Sequence, residues 1–128
     1  MNPRAQAFGI GRATFSGAVR AGDYLFVSGM TATDEKRQVV GSDIAAQARY
    51  IYRKMSAVLA EAGASLNDVV QTTDYVTTLD GYAETAAVRR EVFGDGPFPA
   101  ATGVLVAGLV RPEALIEISA VAWLGGRP

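Results

Sequence analysis

A chain of 128 residues holds one hydrophobic core of ordinary size rather than two, so a single domain over residues 1–128 is expected. Its 49% apolar and 20% charged residues exclude a disordered or fibrous composition. Twelve basic against thirteen acidic residues leave a net charge of −1, too little positive field to gather phosphate backbones, so nucleic acid is not an expected partner. With no cysteine and no histidine, disulfides, thiolate nucleophiles, zinc centres and a neutral-pH imidazole shuttle drop out. No metal or cofactor is expected, and carboxylates, hydroxyls, backbone amides and arginines remain to do any chemistry.

The segment Met1 to Phe15 lacks the apolar run of a signal peptide, and no apolar stretch approaches membrane-spanning length. The expectation is a cytoplasmic protein with no membrane partner. Ala13 to Val19 reads as a weak strand and YLFVSGM, Tyr24 to Met30, as a stronger one. RAGD, Arg20 to Asp23, is short enough to join them as an antiparallel hairpin. Thr31 to Gly41 carries the charge cluster Asp34, Glu35, Lys36 and Arg37 without apolar periodicity and reads as a solvated loop.

The clearest helix follows. Ser42 stands where a cap belongs, Ile44, Ala48, Ile51, Met55 and Val58 recur at helical spacing, and Gly63 supplies a stop. VVQTTDYVT, Val69 to Thr77, has the branched and aromatic content of a strand. Asp80 reads as the cap of a second helix, Gly81 to Phe93, with Tyr82, Ala86, Val92 and Phe93 inward and Glu84, Arg90 and Glu91 outward. The Arg89 and Arg90 pair reads as part of a structural helix face. GDGPFP, Gly94 to Pro99, breaks the helix. Thr102 to Ala107 and Ala114 to Leu124 read as two final strands forming a second hairpin.

The order β β α β α β β in one domain points to an α+β fold, a mixed sheet with two helices on one face. Strands such as Leu25, Phe26, Val27 and Val104, Leu105, Val106 are apolar at both parities, so both faces want a cover. Helices supply one cover, and a neighbouring subunit is the expected source of the other.

Three segments carry a family likeness: FSGAVRAGDYLFVSGM, Phe15 to Met30; DVVQTTDYVTTLDGYAETAAVRREVFGD, Asp68 to Asp95; and PAATGVLVAGLVRPEALIEISAVA, Pro99 to Ala122. Together they resemble the Rid (YjgF/UK114) family of small enamine and imine deaminases. The resemblance implies a chorismate-mutase-like fold assembled as a homotrimer, with a small-molecule pocket at each subunit interface. It also implies that an arginine grips the substrate carboxylate while a glutamate positions the attacking water.

Carried over residue by residue, the glutamate position falls on Glu117. Ser28 and Gly29 match the pocket-lining end of a strand, and Thr102 and Gly103 match positions that offer hydroxyl and backbone donors. The arginine position falls on Ala101, whose methyl group cannot pair with a carboxylate. Phe15 stands where many members have a tyrosine, Ala86 where an asparagine is frequent, and Ser119 where a second glutamate occurs. Each departure moves the pocket from charged or polar toward neutral.

Glu117 also admits a bland reading, as a carboxylate turned to solvent or paired with an arginine for structural reasons. Arg111, in the loop between the last two strands, and Arg12 are candidates for the missing grip, and each equally reads as a solvated surface residue. Two functional readings stay open. One is a specialised enzyme acting on a small imine, enamine or related carbonyl compound; the other is a non-catalytic small-molecule-binding or accessory trimer. The acidic pI near 5.3 and the absence of histidine argue against a ribonuclease.

Overall fold

In the strand Ile116–Trp123 every second residue from Ile116 to Ala122 is buried, whereas Glu117, Ser119 and Val121 are half-buried. That period of two is the signature of a strand with one face in a core. The strand occupies the middle of a six-stranded sheet. In this computed structural model, which describes residues 1–9 and 14–128, the elements run β1 Gln6–Phe8, β2 Ala18–Ala21, β3 Tyr24–Thr31, α1 Ile44–Glu61, β4 Val69–Val76, α2 Thr85–Phe93, β5 Ala100–Leu105 and β6 Ile116–Trp123. The strand order is β1-β2-β3-β6-β4-β5, an α+β fold with a mixed sheet.

The first hairpin forms as expected, with Val19 opposite Phe26 and Ala21 opposite Tyr24. Its first strand starts later than the sequence suggests, at Ala18, and β1 is an added edge strand without a sequence signal. The expected second hairpin does not form. Strand β5 runs parallel to β4, with Thr73 beside Thr102, while β6 inserts antiparallel between β3 and β4. Helix α2 is the crossover that returns the chain parallel to β4. Residues 106–115 then carry it past β4 to the central slot, a path too long for a tight hairpin.

Helix α1 is capped by Asp43, whose Oδ1 accepts the Ala46 N–H at 2.8 Å, rather than by Ser42. Its buried stripe comprises Ile44, Ala48, Ile51, Met55 and Leu59, with Gln47 and Tyr52 also buried; it packs against β3 and β6. Gln47 ties the helix to its surroundings, donating to the Gly41 carbonyl at 3.1 Å and accepting from the Leu115 N–H at 2.8 Å.

Helix α2 begins at Thr85, behind a 3-10 turn over Tyr82–Glu84, so Asp80 caps nothing. Thr85 and Val88 are its buried residues, whereas Ala86 is exposed. Only nine residues long, it leans on α1 through the Tyr52–Phe93 edge contact, centroids 5.5 Å apart, and the paired bonds of Arg49 to Glu91 at 2.9 and 3.0 Å.

The second face of the sheet carries Tyr24, Phe26, Val104 and Trp123. Phe26 is 50% and Trp123 51% exposed, so this chain alone leaves an apolar sheet face open to water. Among the described residues no helix is long and apolar enough to cross a membrane.

Candidate functional site

Glu117 stands on the open face of β6, with Thr31 of β3 and Tyr75 of β4 as register partners. The register between β3 and β6 shifts between Val27 and Met30, so Ser28 and Gly29 lie at a bulge that re-aims the strand. The Ser28 N–H donates to the Gly17 carbonyl at 2.9 Å and its hydroxyl to the Ser16 carbonyl at 2.6 Å, pinning this stretch to the segment that leads into β2. Gly29 leaves room for the carboxylate: a Cβ there would stand 2.5 Å from Glu117 Oε2.

Beside this pair opens a cleft of about 400 Å³, lined by Tyr75, Val106, Leu109, Val110, Glu117 and Ser119 together with Gly29. Glu117 forms no ion pair among the described residues. Its carboxylate is thus held at a concave, mixed polar and apolar wall. Among the described residues no group of three or more acidic side chains is placed to hold a metal ion.

The other residues singled out by sequence divide between two places. Residues paired in register on neighbouring strands share a face. Thr102, paired with Thr73, which pairs in turn with Ser119, is on the Glu117 face, whereas Ala101 and Gly103, paired with Thr72 and Asp74, are on the helix face. The single chain therefore brings Glu117 and Gly29 together but does not bring Ala101 or Gly103 to them. Phe15 is 55% exposed ahead of β2. Arg111 does not line the cleft, and its Nη1 reaches the Arg37 carbonyl at 3.4 Å. Arg12 lies outside the described residues.

Beneath β5 lies a polar cluster that sequence reading missed. The Tyr82 hydroxyl donates to Asp74 Oδ2 at 2.9 Å, and Arg89 Nη1 donates to Thr72 Oγ1 at 2.9 Å and to the Tyr52 hydroxyl at 3.1 Å. Asp74 is buried and its Oδ1 has no hydrogen-bond partner among the described residues; burial raises its pKa, against the opposing pull of the Tyr82 hydrogen bond and the Arg89 charge. Burial also pushes the Tyr52 and Tyr82 hydroxyls up to about 12. Gly103 is what admits Tyr82, whose hydroxyl occupies the space a side chain at 103 would need.

The signal for this cluster was present but faint. Thr72 and Asp74 have the parity of Val76 in β4, the buried one, and Tyr82 and Arg89 are two helical turns apart. A helix-facing aspartate in a strand and an arginine on the same helical side as a tyrosine were the clue.

Comparison with known proteins agrees with this architecture. The family model described as Endoribonuclease L-PSP matches residues 9–124. A RutC family protein of Pyrococcus abyssi is 38% identical over 110 residues, covering 85% of each chain. The 3-aminoacrylate deaminase RutC of Acinetobacter baylyi is 38% identical over 106 residues, covering 82% of each. The crystal structure of a Mycobacterium tuberculosis member of the YjgF/YER057c/UK114 family superposes with a TM-score of 0.80 at 35% identity, covering 93% of this chain and 98% of that one. With its sequence matched almost end to end and its sheet order and helices superposed, the chain belongs to the Rid (YjgF/YER057c/UK114) family.

Proposed function

We propose that the protein is a cytoplasmic hydrolase of small imines or enamines, working in pockets between the subunits of a homotrimer, with Glu117 as the catalytic residue. The observation that carries this reading is the Glu117 carboxylate seated over Gly29 at the wall of the cleft, without an ion-pair partner among the described residues. A carboxylate so placed holds a water by hydrogen bond and accepts its proton as the oxygen attacks the imine carbon. Water adds across the C=N bond, the C–N bond of the resulting carbinolamine breaks, and a carbonyl compound and ammonia leave.

Two observations support the assembly. The open sheet face exposes Phe26 and Trp123, and large apolar patches of this kind are normally covered by a partner. Ala101 and Gly103 lie on the face opposite Glu117, so they reach a shared pocket only if the edge strand β5 of one subunit borders the Glu117 cleft of another. Ala101, Phe15 and Ser119 make that pocket less polar than the family resemblance implies, and the substrate accordingly differs from the smallest imino acids.

The same neutral positions favour a second reading, a trimer that binds a small molecule without turning it over. Ammonia release from 2-imino acids of increasing side-chain size, generated in solution by an amino acid oxidase, separates the two. Turnover abolished by Glu117→Gln is the expected result; no turnover of any of these substrates, or turnover that Glu117→Gln leaves unchanged, overturns the hydrolase reading.

A further inference from the structure

Glu117 does not stand alone in the cleft. Its register partner on β4 is Tyr75, and side chains directly opposite each other on antiparallel strands share a face, with their Cβ atoms about 4.5 to 5.5 Å apart. Both residues line the cleft. A phenol reaches farther out from the sheet than a carboxylate does, so a small molecule resting on Glu117 lies alongside Tyr75.

Hydrolysis of an imine needs an acid as well as a base: water loses a proton as it attacks, and the imine nitrogen gains one. The cleft holds few groups able to give that proton. Val106, Leu109 and Val110 are apolar, the two glycines bring no side chain, and Glu117 is ionised when it acts on water. The chain contains no histidine or cysteine, and among the described residues no lysine or arginine lines the cleft. Tyr75 and Ser119 remain, and a phenol is a far stronger acid than an aliphatic alcohol. The hydroxyls of Tyr52 and Tyr82 are tied to Arg89 and Asp74 at 3.1 and 2.9 Å. That of Tyr75, a half-buried residue, makes no hydrogen bond among the described residues.

We propose that Tyr75 is a second catalytic residue of this cleft, the acid that works with Glu117 as base. As the water oxygen bonds to the imine carbon, Glu117 takes the water proton, the π pair of the C=N bond moves to nitrogen, and nitrogen takes the Tyr75 proton. The carbinolamine then stands between a protonated Glu117 and a Tyr75 phenolate. In the second half the roles reverse. Glu117 returns its proton to the amine nitrogen, the phenolate takes the proton of the new hydroxyl, the C–N bond breaks, and ammonia leaves the carbonyl compound behind. Both residues end as they began, with water as the only co-reactant. The proposal rests on the hydrolase reading for its substrate, while the pairing of acid with base follows from the register of β4 and β6.

Ammonia release from 2-iminopentanoate, generated from norvaline by an amino acid oxidase, is followed above the spontaneous rate from pH 6 to 9 for the native protein, Glu117→Gln and Tyr75→Phe. Phenylalanine keeps the ring and removes only the hydroxyl, so the variant should fold, which its circular dichroism spectrum and melting curve check. Tyr75→Phe should lose roughly a hundredfold of the acceleration at pH 9, the worth of a general acid. The loss should shrink as pH falls, because solvent then protonates the imine nitrogen and an iminium needs no acid. Glu117→Gln should be inactive throughout. Folded Tyr75→Phe with the native rate, or with a loss that does not vary with pH, overturns the role of Tyr75 and leaves that of Glu117 standing. No turnover by the native protein removes the hydrolase reading and the role of Tyr75 with it.

Discussion

Glu117 and Gly29 share one volume: the carboxylate of the first occupies the place of the side chain that the second lacks, 2.5 Å from where a Cβ would stand. The bulge between Val27 and Met30 brings the two strands into this arrangement. The conformation of the glutamate is therefore set by the absence of an atom on the next strand.

Gly29→Ala should displace the carboxylate while sparing the fold, because the methyl group meets the far end of a flexible side chain and not backbone. Misplacing a catalytic group by about 1 Å costs up to roughly a hundredfold, so kcat/KM should fall at least tenfold while the melting temperature moves by only a few degrees. A stability loss with unchanged kcat/KM would contradict the placement of Glu117.

Phe26→Asp puts a charge in the open sheet face without touching the α1 side of the core, since Phe26 is 50% exposed in the single chain. If neighbouring subunits cover this face, the native protein sediments as a trimer and the variant as a folded monomer. Sedimentation velocity with circular dichroism distinguishes these outcomes, and a native monomer would remove the interfacial pocket.

Alkaline stability should depend on Tyr52. Burial raises its hydroxyl to about 12, above the value of about 10 for an unfolded tyrosine. The folded state keeps the proton where the unfolded chain has lost it, so this contribution is fully present below pH of about 10 and disappears as pH rises to about 12. It amounts to something on the order of 2 kcal/mol. Tyr82, raised likewise but more exposed, adds a smaller share in the same window. In urea titrations from pH 7 to 12, Tyr52→Phe should be less stable than the native protein at neutral pH, because Arg89 loses an acceptor, and should decline less steeply above pH 10.

Asp43→Ala should destabilise the protein by about 1 kcal/mol and Ser42→Ala by only a few tenths, because Asp43 makes the 2.8 Å capping bond to the Ala46 N–H. Urea midpoints of the two variants give the comparison directly. Equal effects would mean that the cap is shared.

Much of the fold was legible because its signals are local. Ile44, Ala48, Ile51 and Met55 repeat at the helical period and are all buried in α1, and Gly63 follows the end of that helix in a left-handed conformation, φ 73°. RAGD made the first hairpin readable. The second hairpin was misread because two apolar strands joined by a loop look alike whether they pair with each other or with strands far away in sequence. Nothing in Thr102 to Ala107 announces that β4 is its partner. Ala86 was placed inward on a weak periodicity, and the short α2 instead buries Thr85 and Val88.

For the site, the sequence and its family resemblance singled out Glu117 and Gly29, which the fold does bring together. Arg111, one of two candidates for the missing grip, has its Nη1 3.4 Å from the Arg37 carbonyl in the single chain. Arg89 was passed over as part of a helix face, since its hydrogen bonds to Thr72 and Tyr52 join segments far apart in the chain.

The sequence by itself determined the family, the α+β class and the long helix, and singled out Glu117, because these depend on local periodicity and on residues read one position at a time. Tertiary structure alone decided the sheet order, the separation of Glu117 from Ala101 and Gly103 onto opposite faces, and the hydrogen bonds of Arg89 to Thr72 and Tyr52. The physical reason is that strand register reverses facing with every one-residue step, and register is set by backbone pairing between segments far apart in the chain.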